Sequence, residues 1–163
     1  MIKMVVVPLL LDDEVQRLVD EAVASQEGIR HRILRDSATE GAPGILCSAF
    51  RENICVKPHK HSEGDEVYCH SRGKYSLILF SAQGIIDRCV SFPNPNGLSF
   101  IIPRDNWHTI VVREPSVIYT IYRAVYNPTE PEKYKQIPSW APSNNPEEQK
   151  RYMRTLVENI QHI

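Results

Sequence analysis

The chain has 163 residues, the length of one ordinary domain, and 42% of them are hydrophobic, enough to bury a core. Lysine and arginine number 19 against 20 aspartates and glutamates, and no basic stripe follows a phosphate backbone, which argues against nucleic acid as a partner. No apolar run approaches the ~20 residues that a bilayer span needs, and the start MIKMVVVPLLLDDEV shows no small-residue cleavage site, so a soluble cytoplasmic protein without a membrane partner is expected.

In chain order, residues 4–11 are nearly all apolar and offer an edge on which a second copy could pair, so a homodimer is expected. Residues 12–25 place Val15, Leu18, Val19, Ala22 and Val23 at helical spacing behind an acidic start that suits the positive end of a helix dipole. From about 29 to 126 the pattern becomes short β-rich runs: IRHRIL, ILCSAF, ICVKPHKH, EVYCH, KYSLILF, IIDRCV, LSFIIP, WHTIVV and SVIYTIY. Turn signals such as Gly41-Ala42-Pro43-Gly44, Ser71-Arg72-Gly73 and Pro93-Asn94-Pro95-Asn96-Gly97 separate them, a rhythm that predicts an all-β sandwich or barrel. Residues 127–145 are proline-rich and irregular, with Trp140 as an anchor, and residues 146–160 open on proline and two acids and read as a terminal helix. One domain over 1–163 is expected, its β core at 29–126 lying between a strand and helix in 1–27 and a proline-rich segment and helix in 127–163. The four cysteines (Cys47, Cys55, Cys69, Cys89) form no C-x-x-C pair and read as buried, reduced thiols.

The chemistry concentrates in PHKHSEGDEVYCH. His59 and His61 stand two apart on a run that reads as strand, which points both rings to one face, where two imidazoles can chelate one ion. Glu66 follows a turn that can swing its carboxylate back beside them, and His108, in NWHTIVV, can add a fourth ligand from a distant strand. Three imidazoles and a carboxylate make a borderline-hard site for one divalent transition metal ion (Fe, Mn, Ni, Co, Zn or Cu) rather than Ca or Mg.

The spacing of His59-x-His61, Glu66 and Gly73, followed by Gly97, Pro103 and His108, resembles the two signature motifs of the cupin superfamily. Over roughly residues 28–150, the PHKH, NWHT, YNPTEP and PSWAPSNNPEE elements further resemble the WbuC-type cupin-fold metalloproteins, a small bacterial family often encoded among surface-polysaccharide genes. The resemblance implies an RmlC-like jelly-roll β-barrel with a metal at the four positions above; it implies no reaction. Three positions depart from the superfamily pattern: Asn53 and Asp105 stand where glycines are usual, and Val112 where an asparagine is.

Strand alternation from inward-facing His59 and His61 puts Cys55 and Lys57 on the same face, and Tyr68 and His70 with Glu66, so Lys57, Tyr68 and His70 are the candidate catalytic groups. A register slip at Pro58 would instead carry the Lys57 ammonium to the rim. Arg30, Arg32 and Arg123 are candidates for binding an anionic ligand, with a solvated face as the alternative. His31 and His162 receive no role. These residues suit a metal-dependent enzyme acting on a small anionic or sugar-derived molecule, whether isomerase, hydrolase or dioxygenase. The alternative is a non-catalytic module that grips a small-molecule ligand through the metal. A purely structural site would be closed and four-coordinate, a type that usually draws on cysteine thiolates.

Overall fold

The computed structural model describes residues 10–35, 43–62, 64–122 and 135–160. The order of elements is α1 (Asp12–Ala24), β1 (Ile29–Arg35), β2 (Gly44–Phe50), β3 (Glu66–Arg72), β4 (Tyr75–Phe80), β5 (Ile86–Phe92), β6 (Ser99–Ile102), β7 (Trp107–Val112), β8 (Ser116–Tyr122) and α2 (Pro146–Ile160). The strands form two antiparallel sheets, one of five in the order β1-β2-β8-β3-β6 and one of three in the order β5-β4-β7. The expected closed barrel is therefore, among the described residues, a jelly-roll pair of facing sheets.

Each sheet is covered on both faces at its central strands. Between the sheets, Leu77, Ile110 and Val112 of the smaller one meet Phe50, Ile102 and Ile118 of the larger. On the outer face of the larger sheet, Val15, Leu18, Val19 and Ala22 of α1 pack on Cys47, Ala49, Val117 and Tyr119. Outside the smaller sheet, Met153, Leu156 and Ile160 of α2 cover Ile78, Phe80 and Val111. This double covering explains why all seven residues of β2 are buried, where a sheet wet on one face would alternate. Helix α1 starts where Glu14 accepts the Leu11 backbone N–H at 3.0 Å, and three acids occupy its first turn. Trp140 anchors the chain before α2, its indole N–H donating to the Ala82 carbonyl at 3.1 Å and its ring tilted against Phe80 at 5.2 Å. Neither helix is long and apolar enough to cross a membrane.

One predicted strand is absent. The run 54–61 lies along β7 but makes only isolated bridges, His59 with His108 and Lys60 with Gln136. Pro58 has no N–H to give a ladder, and the Val56 carbonyl is taken by the Thr109 hydroxyl instead of a backbone partner. Proline also resets the alternation. Ile54 and Val56 pack toward the inter-sheet core before it, whereas His59 and His61 turn into the cavity after it, so one extra residue separates the two phases.

Two of the three departures from the cupin pattern leave the backbone as glycine would have it. Asn53 has φ 57° and Asp105 φ 64°, the left-handed region that asparagine and aspartate tolerate best after glycine. Val112, the third, is buried between the sheets.

Candidate metal centre

Three elements converge on one point. His59 and His61 come from the run beside β7, Glu66 opens β3, and His108 is the second residue of β7, tied to His59 by mutual backbone hydrogen bonds of 3.0 and 2.8 Å. Ligand nitrogens of His59, His61 and His108 all lie within 4.8 Å of one another. Glu66 reaches two of them, Oε1 standing 3.6 Å from His61 Nε2 and Oε2 3.4 Å from His108 Nε2.

Backbone carbonyls set the tautomers. The Lys57 carbonyl lies 2.8 Å from His59 Nδ1 and the Asn106 carbonyl 3.0 Å from His108 Nδ1. A carbonyl only accepts, so each Nδ1 carries a proton and each ring turns its Nε2 inward, the arrangement common to metal-ligating histidines. His108 Nε2 and Glu66 Oε2 are both buried with no hydrogen-bond partner and face each other at 3.4 Å. Such a pair is costly unless something positive lies between, and a divalent cation satisfies both. The donor set passes the same test, since imidazoles with one carboxylate suit the borderline transition metals.

The local electrostatics agree. Burial pushes the His59 pKa well below the usual histidine range, and the like charges of His108, Lys135 and His61 push it further, so the ring is neutral and free to ligate. For Glu66, burial raises the pKa, but the contacts to His108 and His61 and the charge of Lys135 outweigh it and hold the carboxyl below its ordinary value.

The centre closes one end of a cavity of about 110 Å³. Ile29, Leu46, Phe50, Val56 and Ile118 make it largely apolar, while His31, Ser48, Tyr68, Thr120, Tyr122 and Lys135 add polar groups beside the ligands. Tyr68 stands edge-on to His108, ring centroids 6.1 Å apart. Burial, then Glu66 and Tyr75, raise its pKa well above 10, so it offers a neutral phenol.

Most of the other sequence candidates lie elsewhere. Lys57 points away from the cavity and donates to Asn144 Oδ1 at 2.6 Å, because Pro58 resets the alternation on which its inward placement rested. His70 shares the Tyr68 face but sits deeper between the sheets, stacked on Phe92 at 5.8 Å, four residues of strand beyond Glu66 and outside the cavity lining. Arg30 pairs with Glu27 at 3.0 Å and Arg32 with Glu14 at 3.4 Å on α1, both on the outward face of β1. Arg123 lies outside the described residues.

The sequence reading missed His31, Ser48 and Lys135. Alternation on β1 carries the signal for His31, since an inward Ile29 requires an inward His31 and outward arginines. Lys135, in the proline-rich segment, has no periodicity to place it.

Neither a protein-family model nor a curated protein sequence matches the chain. Solved structures do. A Shewanella oneidensis protein aligns at TM-score 0.58 and 10% identity over 79% of this chain and 85% of its own. Oxalate decarboxylase from Lactobacillus farciminis, in a formate complex, aligns at TM-score 0.52 and 14% identity over 69% of this chain and 32% of its own. The Bacillus subtilis oxalate decarboxylase, whose structure concerns its Mn(II) centres, aligns at TM-score 0.52 and 18% identity over 68% and 30%. The chain spans about a third of the length of these decarboxylases. At such identities the likeness concerns the fold alone: the chain shares the two-sheet jelly-roll fold of these structures, and its histidine triad can hold a metal ion.

Proposed function

We propose that the protein is a metal-dependent enzyme acting on a small anionic or sugar-derived metabolite in the cavity, with one divalent transition metal ion held by His59, His61, Glu66 and His108. The observation that carries this reading is the buried, partnerless His108 Nε2 facing an equally partnerless Glu66 Oε2. When bound, the ion supplies Lewis-acid polarisation and a coordination position for water or substrate. The chain supplies the rest: the Tyr68 phenol can donate a hydrogen bond to a substrate oxygen, the Lys135 ammonium lines the cavity and favours an anion, and the apolar wall keeps out bulk water. Manganese suits the donor set as well as iron does. The WbuC-type motifs support a setting in surface-polysaccharide biosynthesis.

A non-catalytic, metal-dependent binding protein is the second reading. Its support is that Lys57 and His70, two of the three expected catalytic groups, lie outside the cavity.

Elemental analysis of purified protein tests the centre. About one transition metal per chain is expected, with most of it lost in His61→Ala, since a chelating ligand goes. Full metal retention in that variant would remove the basis of both readings. The homodimer belongs to the same proposal: Leu11 is 69% exposed where the apolar segment 4–11 enters α1, and all but the last two residues of that segment lie outside the described ones. Sedimentation should give a dimer at micromolar concentration; a monomer would rule it out.

A further inference from the structure

We infer that His31, oriented by Ser48, selects the ligand at the end of the cavity away from the metal centre, and that the ligand is a short-chain carboxylate bearing a hydroxyl group. Its carboxylate would lie toward Glu66 and the three histidines, and its hydroxyl on His31 Nε2. This rests on the metal-dependent reading above and goes beyond it in naming the ligand class and the residue that recognises it.

The argument starts from the strand pairing. β1 and β2 place His31 directly opposite Ser48, and Ser48 opposite Ile118 of β8. Ile29, Leu46, Phe50 and Ile118 surround the pair, and the His31 ring stands edge-on to Phe50 at 6.4 Å. A polar pair in such a wall costs free energy unless its hydrogen bonds are made. Ser48 is 3% exposed and makes its bond, Oγ lying 2.8 Å from His31 Nδ1. His31 makes only half of what it can: it lines the cavity, and Nε2 has no hydrogen bond to another of the described residues.

The bond to Ser48 also determines what Nε2 can accept as a partner. If Nδ1–H donates to Ser48, Nε2 is an acceptor; if the serine hydroxyl donates to Nδ1, Nε2–H is a donor. A hydroxyl group can serve either form, because it donates and accepts. Crowding by protein atoms, with Lys135 and Arg30 adding like charge, pushes the His31 pKa down to about 4, so the ring is neutral near pH 7 and offers no counter-charge.

The two polar ends are separated by a measurable span. On β8, Tyr122 pairs with Glu66 and Ile118 with Ser48, four residues apart, an offset of ~13 Å along the strands, and β2 and β8 lie between β1 and β3 across the sheet. The Glu66 and His31 side chains reach into that interval, and the cavity between them is small and apolar. A ligand that fills it needs a short aliphatic body, which excludes both an inorganic anion and a long-chain lipid.

Calorimetric titration of the metal-loaded protein with ω-hydroxy carboxylates of four to eight carbons, each against its unsubstituted alkanoate, tests this. At one chain length the hydroxy acid should bind about tenfold more tightly than its parent, the value of one well-made hydrogen bond. His31→Phe should bring the two within about twofold while leaving metal content unchanged. Ser48→Ala, which removes the positioning group, should lower the hydroxyl preference, and His31→Gln, which keeps a donor and an acceptor, should retain part of it. Metal-loaded protein that binds both series alike, or a preference that survives His31→Phe and Ser48→Ala, overturns the inference alone. Wild-type protein that holds no metal and binds no carboxylate overturns the metal-dependent reading and this inference together.

Discussion

Saturating the protein with a divalent transition metal should raise its unfolding midpoint by roughly 5–10 °C over chelator-treated protein, and His108→Ala should erase the difference. The size follows from linkage: a ligand that binds only the folded state, at a hundredfold excess over its dissociation constant, adds about 2.7 kcal/mol. For a chain of this length each kcal/mol moves the midpoint by roughly 2–4 °C. The dependence on His108 follows from geometry. Its side chain is 1% exposed, its tautomer is set by the Asn106 carbonyl, and its Nε2 faces Glu66 Oε2 across the space where an ion would sit. Alanine removes that donor and leaves the Glu66 oxygen facing a void, so the variant should also melt below the chelated wild type. His70→Ala is the control: His70 stacks on Phe92 outside the cavity, so the variant should keep the full metal-dependent gain whatever its own stability. Equal midpoints for wild type with and without metal, in a calorimetric or circular-dichroism melt, would refute the site.

How much of that site could be read beforehand depended on whether a residue's position is a local or a non-local fact. His59 and His61 are two apart, and Glu66 follows one turn later, so short-range geometry suffices to bring them together. His108 came from the motif spacing, and the fold supplies the reason it arrives: β7 runs beside the 54–61 segment and bonds His59 backbone to backbone. Lys57 failed because alternation assumes an unbroken strand, and Pro58 breaks it directly before His59. The same rule, applied to β1, would have turned His31 inward and Arg30 and Arg32 outward; the arginines drew attention for their charge, yet charge is what sends them out to Glu27 and Glu14. Lys135 enters the cavity from irregular chain, where no period of two or 3.6 exists to be read.

The fold shows the same division. Eight of the nine β-rich runs are strands, and both helices fall where their apolar spacing placed them, with α1 ending at Ala24. What the runs could not show was which sheet each strand joins. β2, β4 and β8 are buried on both faces, so their apolar residues do not alternate, and the side that meets a helix reads like the side that meets the other sheet. Closure into a barrel was likewise an expectation carried by the family resemblance. The described residues show two sheets joined by packing, with no strand pairing between them.

Gly73→Ala should destabilise the protein by about 3 kcal/mol while leaving metal stoichiometry intact. Gly73 has φ +84°, a conformation that costs an L-residue roughly 1–2 kcal/mol. The added methyl would also run into the Pro115 carbonyl oxygen and the Ser116 Cα and Oγ. Two of those three atoms are backbone and cannot rotate aside, so the turn after β3 would have to part from the turn before β8, an overpacking cost of roughly 1–3 kcal/mol. Those turns are held together at Lys74, whose carbonyl accepts the Arg113 and Glu114 N–H groups at 2.8 and 3.2 Å and whose ammonium meets Glu114 at 2.6 Å, so separation loosens three contacts at once. Asn53 and Asp105 show that the left-handed backbone alone is tolerated in this chain when the side chain has room; at Gly73 it does not. Metal content is spared because Glu66 and Gly73 stand at opposite ends of β3, about 20 Å of strand apart. Thermal melts should place Gly73→Ala some 6–12 °C below wild type with about one metal per folded chain. A melt within 2 °C of wild type would show that the two turns yield without strain, and a folded variant without metal would show that the centre depends on this end of the strand.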